Sequence, residues 1–167
     1  MTVPSIRPAE ERDLPRLVDI YNHYVRTTAV TFDMAPYDVE ERRPWFSQFR
    51  ESGPYRLFVA ARDGKVDAYA GTTQFRPKRA YETTVEVTVY CAPGATAQGL
   101  GRALFDVLFR ALEGEDLRSA VAGITLPNDP SIALHERFGF RLTGVMHDVG
   151  RKLGRYWDVA WYEKRLS

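Results

Sequence analysis

The stretch Ala95-Thr96-Ala97-Gln98-Gly99-Leu100-Gly101-Arg102-Ala103-Leu104-Phe105 runs a glycine turn straight into an apolar-periodic segment. Before it, Val85, Val87 and Val89 alternate with Thr84, Glu86, Thr88 and Tyr90, the pattern of a strand with two unlike faces. After it, Leu104, Val107, Leu108, Ala111 and Leu112 recur at helical spacing until Gly114. Gly99 and Gly101 can take backbone angles that other residues resist, and they leave main-chain N–H groups uncovered. The first turn of a helix has unpaired donors and a partial positive charge. Together these can bind a pyrophosphate without a lysine, which suits a turn with no cation before Arg102. The same link also reads as a plain tight turn. A Walker motif is excluded, because Arg102-Ala103 stands where Lys-Ser/Thr is needed. A dinucleotide fingerprint fails too: Leu104 and Leu126 stand where a third glycine and an acid belong.

Outward from this segment the chain reads as β-α-α-β-β-β-α-β-α-β-β. A strand is expected over Val3–Arg7, and a helix over Ala9–Thr27 with Glu10, Glu11 and Asp13 in its first turn. Asp38 caps a second helix that ends near Ser52-Gly53-Pro54. Strands follow over Arg56–Ala61 and Lys65–Phe75, joined by Asp63-Gly64, and then over Tyr81–Cys91. A helix over Gly99–Leu112 and a strand over Arg118–Leu126 come next. Asp129-Pro130 opens a helix that Gly139 closes, and two strands cover Arg141–Val149 and Tyr156–Leu166. A mixed sheet with helices packed against it is the expected architecture.

The 167 residues suit one domain with a sizeable core, 1–167. A formal net charge of +1, with 44% hydrophobic and 27% charged residues, makes no electrostatic case for nucleic acid or an anionic membrane. The single cysteine, Cys91, cannot form an intramolecular disulfide, and no signal peptide or bilayer-spanning run is visible. A cytoplasmic protein is expected.

Read together, Glu86, the glycine turn and Leu126-Pro-Asn-Asp-Pro-Ser-Ile-Ala-Leu-His-Glu-Arg-Phe-Gly-Phe140 resemble the GNAT superfamily of acyl-CoA N-acyltransferases. Within it the chain is most similar to the phosphinothricin/methionine sulfone acetyltransferase branch, through Asn22-His23-Tyr24, Phe75 to Tyr90 and the closing Gly150 to Leu166. The resemblance implies an α/β (α+β) fold: a mixed, mostly antiparallel sheet of six to seven strands, splayed at its centre and flanked by about four helices. It implies acetyl-CoA as acyl donor and no metal. The pyrophosphate would lie on Thr96, Ala97, Gln98, Gly99, Leu100, Gly101, Arg102 and Ala103, held by backbone donors of Gln98 to Ala103. Thr96 departs from the family's glutamine or arginine and Ala97 from an expected glycine. A bulge in the Glu86 strand would part it from the next strand. Val89 and Cys91 would then offer backbone groups to the pantetheine arm, and Asn128 and Ser131 would hold it from the following helix. The oxyanion donor would be an N–H near Tyr90 or Cys91.

Acyl transfer to an amine requires a neutral nucleophile, a stabilised oxyanion and a protonated leaving thiolate. The resemblance makes Glu86 the base, directly or through water; the bland alternative is a carboxylate on a solvated strand face. It makes His135 a proton donor or acceptor, where many relatives carry tyrosine; the alternative is a packing histidine. Cys91 reads as a strand residue, since direct transfer needs no acyl-enzyme.

For the acceptor, Arg76 and Arg79 could clamp acid groups two-pronged. Phe32, Tyr81 and Thr88 line the same pocket by resemblance, and Asn22 and His23 could hold the loop that carries Phe32. The acceptor would be the α-amino group of phosphinothricin, methionine sulfoximine or methionine sulfone. A polyamine, an antibiotic or a protein N-terminus is the alternative, as is a non-catalytic acyl-CoA-binding module. A homodimer joined partly through the C-terminal strands, with Trp157 and Trp161 in the contact, is also expected; both tryptophans read equally as core.

Overall fold

A computed structural model describes residues 3–167. Its element order is the one read above. The strands are β1 (Ser5–Pro8), β2 (Leu57–Arg62), β3 (Lys65–Gln74), β4 (Thr84–Cys91), β5 (Ser119–Thr125), β6 (Arg141–Lys152) and β7 (Arg155–Arg165). The helices are α1 (Leu14–Thr27), α2 (Val39–Phe46), α3 (Leu100–Ala111) and α4 (Asp129–Arg137). The seven strands form one sheet in the order β1-β2-β3-β4-β5-β7-β6, with β4–β5 parallel and every other pair antiparallel.

Val85 and Val87 of β4 are buried in one core with Leu100, Leu104, Phe105 and Leu108 of α3. Phe105 is fully buried, which the sequence reading had not placed on the helix's apolar stripe. On the opposite face α1 and α2 cover β3 and β4, so the polar face of β4 is half-buried rather than solvated.

Several boundaries differ from expectation. The first helix begins as a 3-10 turn over Glu11–Asp13, where Asp13 accepts from the Glu10 N–H and from Arg7. The second helix stops at Phe46 instead of continuing to Gly53. Pro44 inside it gives no N–H, and the chain beyond turns back, with the Arg50 N–H donating to the Tyr55 carbonyl. The closing hairpin is longer than expected, because Leu153-Gly154, both at positive φ, make a tight turn.

Candidate active site

The sheet forks beside Glu86. The β4–β5 pairing holds at Thr84–Ser119, Val85–Ala120 and Glu86–Val121 and ends there. β4 stays paired with β3 from Gln74–Val85 to Ala68–Cys91, while β5 stays paired with β7 along its whole length. Each strand follows its own antiparallel partner, and a gap opens after Glu86. The expected bulge in β4 is not there: its ladder with β3 has no register shift, and the divergence of two half-sheets makes the splay.

Register also settles which backbone groups face the gap. The Ala92 N–H donates to the Asp67 carbonyl at 2.7 Å. In the β3–β4 register, Tyr69–Tyr90, Gly71–Thr88 and Thr73–Glu86 are then the hydrogen-bonded pairs. Beyond the last β4–β5 bridge, Val89 and Cys91 turn their N–H and C=O groups toward the gap. The Tyr24 hydroxyl donates to the Cys91 carbonyl at 2.5 Å, which leaves the Cys91 N–H open. Tyr90 therefore leaves the set of oxyanion donors, since its N–H is directed at β3.

The glycine turn leads from this fork into α3. Gly99 is its N-cap at φ +75° and has no side-chain cap. Leu100, Gly101 and Arg102 carry the free N–H groups of the first turn. The Ala103 N–H already donates to the Gly99 carbonyl at 3.1 Å, so Ala103 leaves the expected donor set. Gly101 has an ordinary φ, and its reason is packing: a Cβ there would lie 2.9 Å from Leu134 Cδ2 of α4. Ala97 occupies the left-handed region at φ +59°, where glycine costs nothing. Gln98 does not reach into the turn; it donates to the Gly94 carbonyl at 3.0 Å and accepts from Arg62. Arg102 points along the surface toward Asp106, and Thr96 is exposed.

Glu86, Thr88 and Tyr90 lie on the α1–α2 face. The Glu86 carboxylate is half-buried and makes no hydrogen bond among the described residues. Burial pushes its pKa above the usual carboxylate value, and the nearby positive charge of Arg76 pulls the other way. Beside it a cavity of about 200 Å³ is walled by Tyr21, Arg42, Trp45, Tyr69 and Tyr90, with Thr73, Thr88 and Gln48 completing it.

His135 is placed differently from expectation. It is 3% exposed, with Phe105 and Phe140 edge-on to its ring at 5.2 and 5.0 Å. Its Nδ1 lies 2.7 Å from the Ser131 carbonyl, a contact only an N–H can make, so Nδ1 carries the proton. Nε2 is then a bare lone pair, buried and without a partner. Burial also lowers the pKa, which favours the neutral ring. The proton-donor half of the expectation is thereby corrected: the one proton is committed to a helix carbonyl, and only an acceptor at Nε2 is left. Asn128 caps α4, its Oδ1 accepting from the Ser131 N–H at 3.3 Å, and its side-chain N–H groups make no hydrogen bond among the described residues.

The expected acceptor residues do not all converge. Arg76 stacks over Phe75 at 4.3 Å and its charge reaches Glu86. The Arg79 side chain is 92% exposed and faces Glu82, so it is not brought to the site. Thr88 lines the cavity, whereas Tyr81 stands edge-on to Phe75, whose ring also meets Trp161. Phe32 lies against Gly150 of β6, and Lys152 of the same strand donates to the Thr31 carbonyl at 2.8 Å. The loop carrying Phe32 is also held by Asn22, which bonds both the N–H and the carbonyl of Tyr37. Arg42, Trp45, Tyr21 and Tyr69 were missed. The available signal was Arg42 and Trp45 three residues apart, which puts a cation beside an indole on one helical face.

A forked sheet with a glycine turn leading from its open side into a helix defines an acyl-CoA-dependent acyltransferase. The acetyltransferase (GNAT) domain family matches residues 6–161. A phosphinothricin N-acetyltransferase of Streptomyces coelicolor is 55% identical over 164 residues, covering 97% of this chain and 96% of the relative. An L-methionine sulfoximine/L-methionine sulfone acetyltransferase of Pseudomonas paraeruginosa is 35% identical over 163 residues, covering 98% and 95%. The crystal structure of a GNAT superfamily phosphinothricin acetyltransferase from Sinorhizobium meliloti in complex with acetyl-CoA superimposes with a TM-score of 0.92. Its identity is 32%, with 99% of this chain and 90% of that one covered. The chain belongs to the GNAT acetyltransferase family and is an acetyl-CoA-dependent N-acetyltransferase. No helix among the described residues is long and apolar enough to cross a membrane.

Proposed function

We propose that the chain moves the acetyl group of acetyl-CoA onto the α-amino group of a small amino-acid-like acceptor: phosphinothricin, methionine sulfoximine or methionine sulfone. The observation that carries this reading is Glu86, half-buried, free of hydrogen bonds among the described residues, and set where the fork opens beside a cavity. A carboxylate with a raised pKa is a better base for an ammonium than an ordinary one.

In this reading the N–H groups of Leu100, Gly101 and Arg102 hold the pyrophosphate. The Val89 and Cys91 backbone and the Asn128 amide hold the pantetheine arm across the gap. Glu86 takes the ammonium proton, directly or through one water. The freed amine forms the N–C bond as the C–S bond breaks. The Cys91 or Val89 N–H steadies the oxyanion, and the departing thiolate takes the proton released from nitrogen. His135 Nε2 serves as acceptor only. Arg76 pairs with the α-carboxylate. A homodimer joined partly through the C-terminal strands, where Trp157 and Trp161 lie and Leu142, Met146, Val149, Leu153 and Tyr156 are exposed, belongs to the same reading, and a strict monomer in micromolar sedimentation would refute it.

The test is thiol release from acetyl-CoA across phosphinothricin, methionine sulfoximine, methionine sulfone, spermidine and a peptide amine. Turnover on the first three supports the reading. Turnover confined to spermidine or the peptide overturns it.

A further inference from the structure

The cavity beside Glu86 is lined by hydrogen-bond donors that have nothing to bind. The Arg42 guanidinium lies over Tyr21 at 4.4 Å, Trp45 at 4.4 Å and Tyr37 at 5.0 Å. It makes no ion pair and no side-chain hydrogen bond among the described residues, so its five N–H groups are uncommitted. The Tyr69, Tyr90, Thr73 and Thr88 side chains line the cavity, and their hydroxyls make no hydrogen bond among the described residues. Asp33, whose negative charge reaches Tyr21 and Tyr90, already accepts the Tyr21 hydroxyl. The set combines one fixed cation with several hydroxyls, which suits a head group rich in acceptor atoms on a tetrahedral centre. It disfavours an ammonium, so a polyamine is a poor occupant.

Position along the strand says which end of the acceptor this is. Glu86 pairs with Thr73, and the acceptor amine must lie there. The α-carboxylate shares a carbon with the amine and so stays near Arg76. Thr88 is two residues further on, about 7 Å of strand, which is the reach of a short amino-acid side chain. We infer that Arg42, with Tyr69 and Tyr90, forms the subsite for the side-chain head group of the acceptor, reading the oxygens of a phosphinate or sulfone, or the oxygen and nitrogen of a sulfoximine, while the aromatic walls contact the methylenes. This rests on the acceptor class proposed above.

The experiment compares kcat/KM for phosphinothricin, methionine sulfone and norleucine, which has a similar length and no head-group oxygen. Wild type, Arg42→Met and Arg42→Lys are measured, with phosphinothricin binding to the CoA-bound protein followed by calorimetry. The preference for phosphinothricin over norleucine should fall at least about tenfold in Arg42→Met, with binding weakened in parallel. Arg42→Lys should keep more of the preference for the charged phosphinate than for the neutral sulfone. Equal losses on all three acceptors in both variants would overturn the subsite and make Arg42 a prop for α2, with the acceptor class intact. Wild type inactive on all three would overturn the acceptor class and the subsite with it.

Discussion

Ala97→Gly should make the protein more stable, and the amount follows from the backbone. Ala97 sits at φ +59° at the approach to α3. An L side chain in the left-handed region costs about 1–2 kcal/mol, because Cβ crowds the following carbonyl. Glycine removes that cost but enlarges the conformational freedom of the unfolded chain, which returns about 0.4–1 kcal/mol. The net gain is about 0.5–1 kcal/mol. In a chain of 167 residues that raises Tm by roughly 1–4 °C. Circular dichroism melts of the unliganded protein measure it. Gly99→Ala is the converse: φ is +75° and nothing lies within 4 Å of the added Cβ, so it should lower Tm by a similar amount through the backbone alone. The N–H groups of Leu100, Gly101 and Arg102 are untouched by Ala97→Gly, so added acetyl-CoA should still raise Tm in that variant. A lower Tm for Ala97→Gly, or an unchanged Tm for both variants, would refute the strain at this turn.

Four further outcomes are expected. Glu86→Gln should lower kcat by about 10²–10⁴-fold. In the parent protein the acid limb of kcat/KM should lie above the ordinary carboxylate value, since burial disfavours the charged form of Glu86; Arg76→Ala removes the opposing charge and should move that limb to still higher pH, and a limb that moves down refutes the assignment. His135→Leu replaces a buried ring of similar volume and removes the orphaned Nε2; an unsatisfied buried group costs about 1–3 kcal/mol, so Tm should hold or rise in a thermal melt. If Nε2 takes part in proton transfer, the same variant loses turnover, and full turnover returns His135 to packing. Gly101→Ala crowds the Leu134 Cδ2 methyl, whose side chain must leave its place, and should destabilise by about 0.5–1.5 kcal/mol in denaturant unfolding; Leu134→Ala should be non-additive with it, and strict additivity would sink the close-approach explanation.

The parts of this molecule legible from sequence are those governed by local periodicity. The alternation Thr84 to Tyr90 identified β4 and its two faces, and the spacing after Gly99 identified α3. What alternation cannot tell is what covers a face. The Glu86 face reads as solvated until α1 and α2 are laid on it, and only then does burial raise the carboxylate's pKa. Glycine type was legible but its cause was not: Gly99 is there for φ, whereas Gly101 is there for a helix 33 residues later in the chain, at Leu134. Arg79 looked as useful as Arg76 because neighbouring cations in a loop carry no sign of which one turns inward. Arg42 carried only the spacing to Trp45 as a signal, because the other residues around its cavity, Tyr21, Tyr69 and Tyr90, come from three separate elements.

The two halves of the site differ in how sequence can change them. In the proposed reading the donor half is main chain: three N–H groups at the start of α3 and the N–H groups of Val89 and Cys91 along the edge of β4 that β5 leaves unpaired. Such donors come with the fold, which is why Thr96 and Ala97 can depart from the family pattern without removing one of them. The acceptor half is side chain: a guanidinium clamped between Tyr21 and Trp45, and hydroxyls on β3 and β4. Each of these can be lost by one substitution with the sheet intact. In the proposed reading acetyl-CoA use follows from the fork, and the choice of acceptor from a handful of residues around Arg42. A change of acceptor within this fold needs only the cavity to change, with the register of β4 and the turn at Gly99 kept as they are.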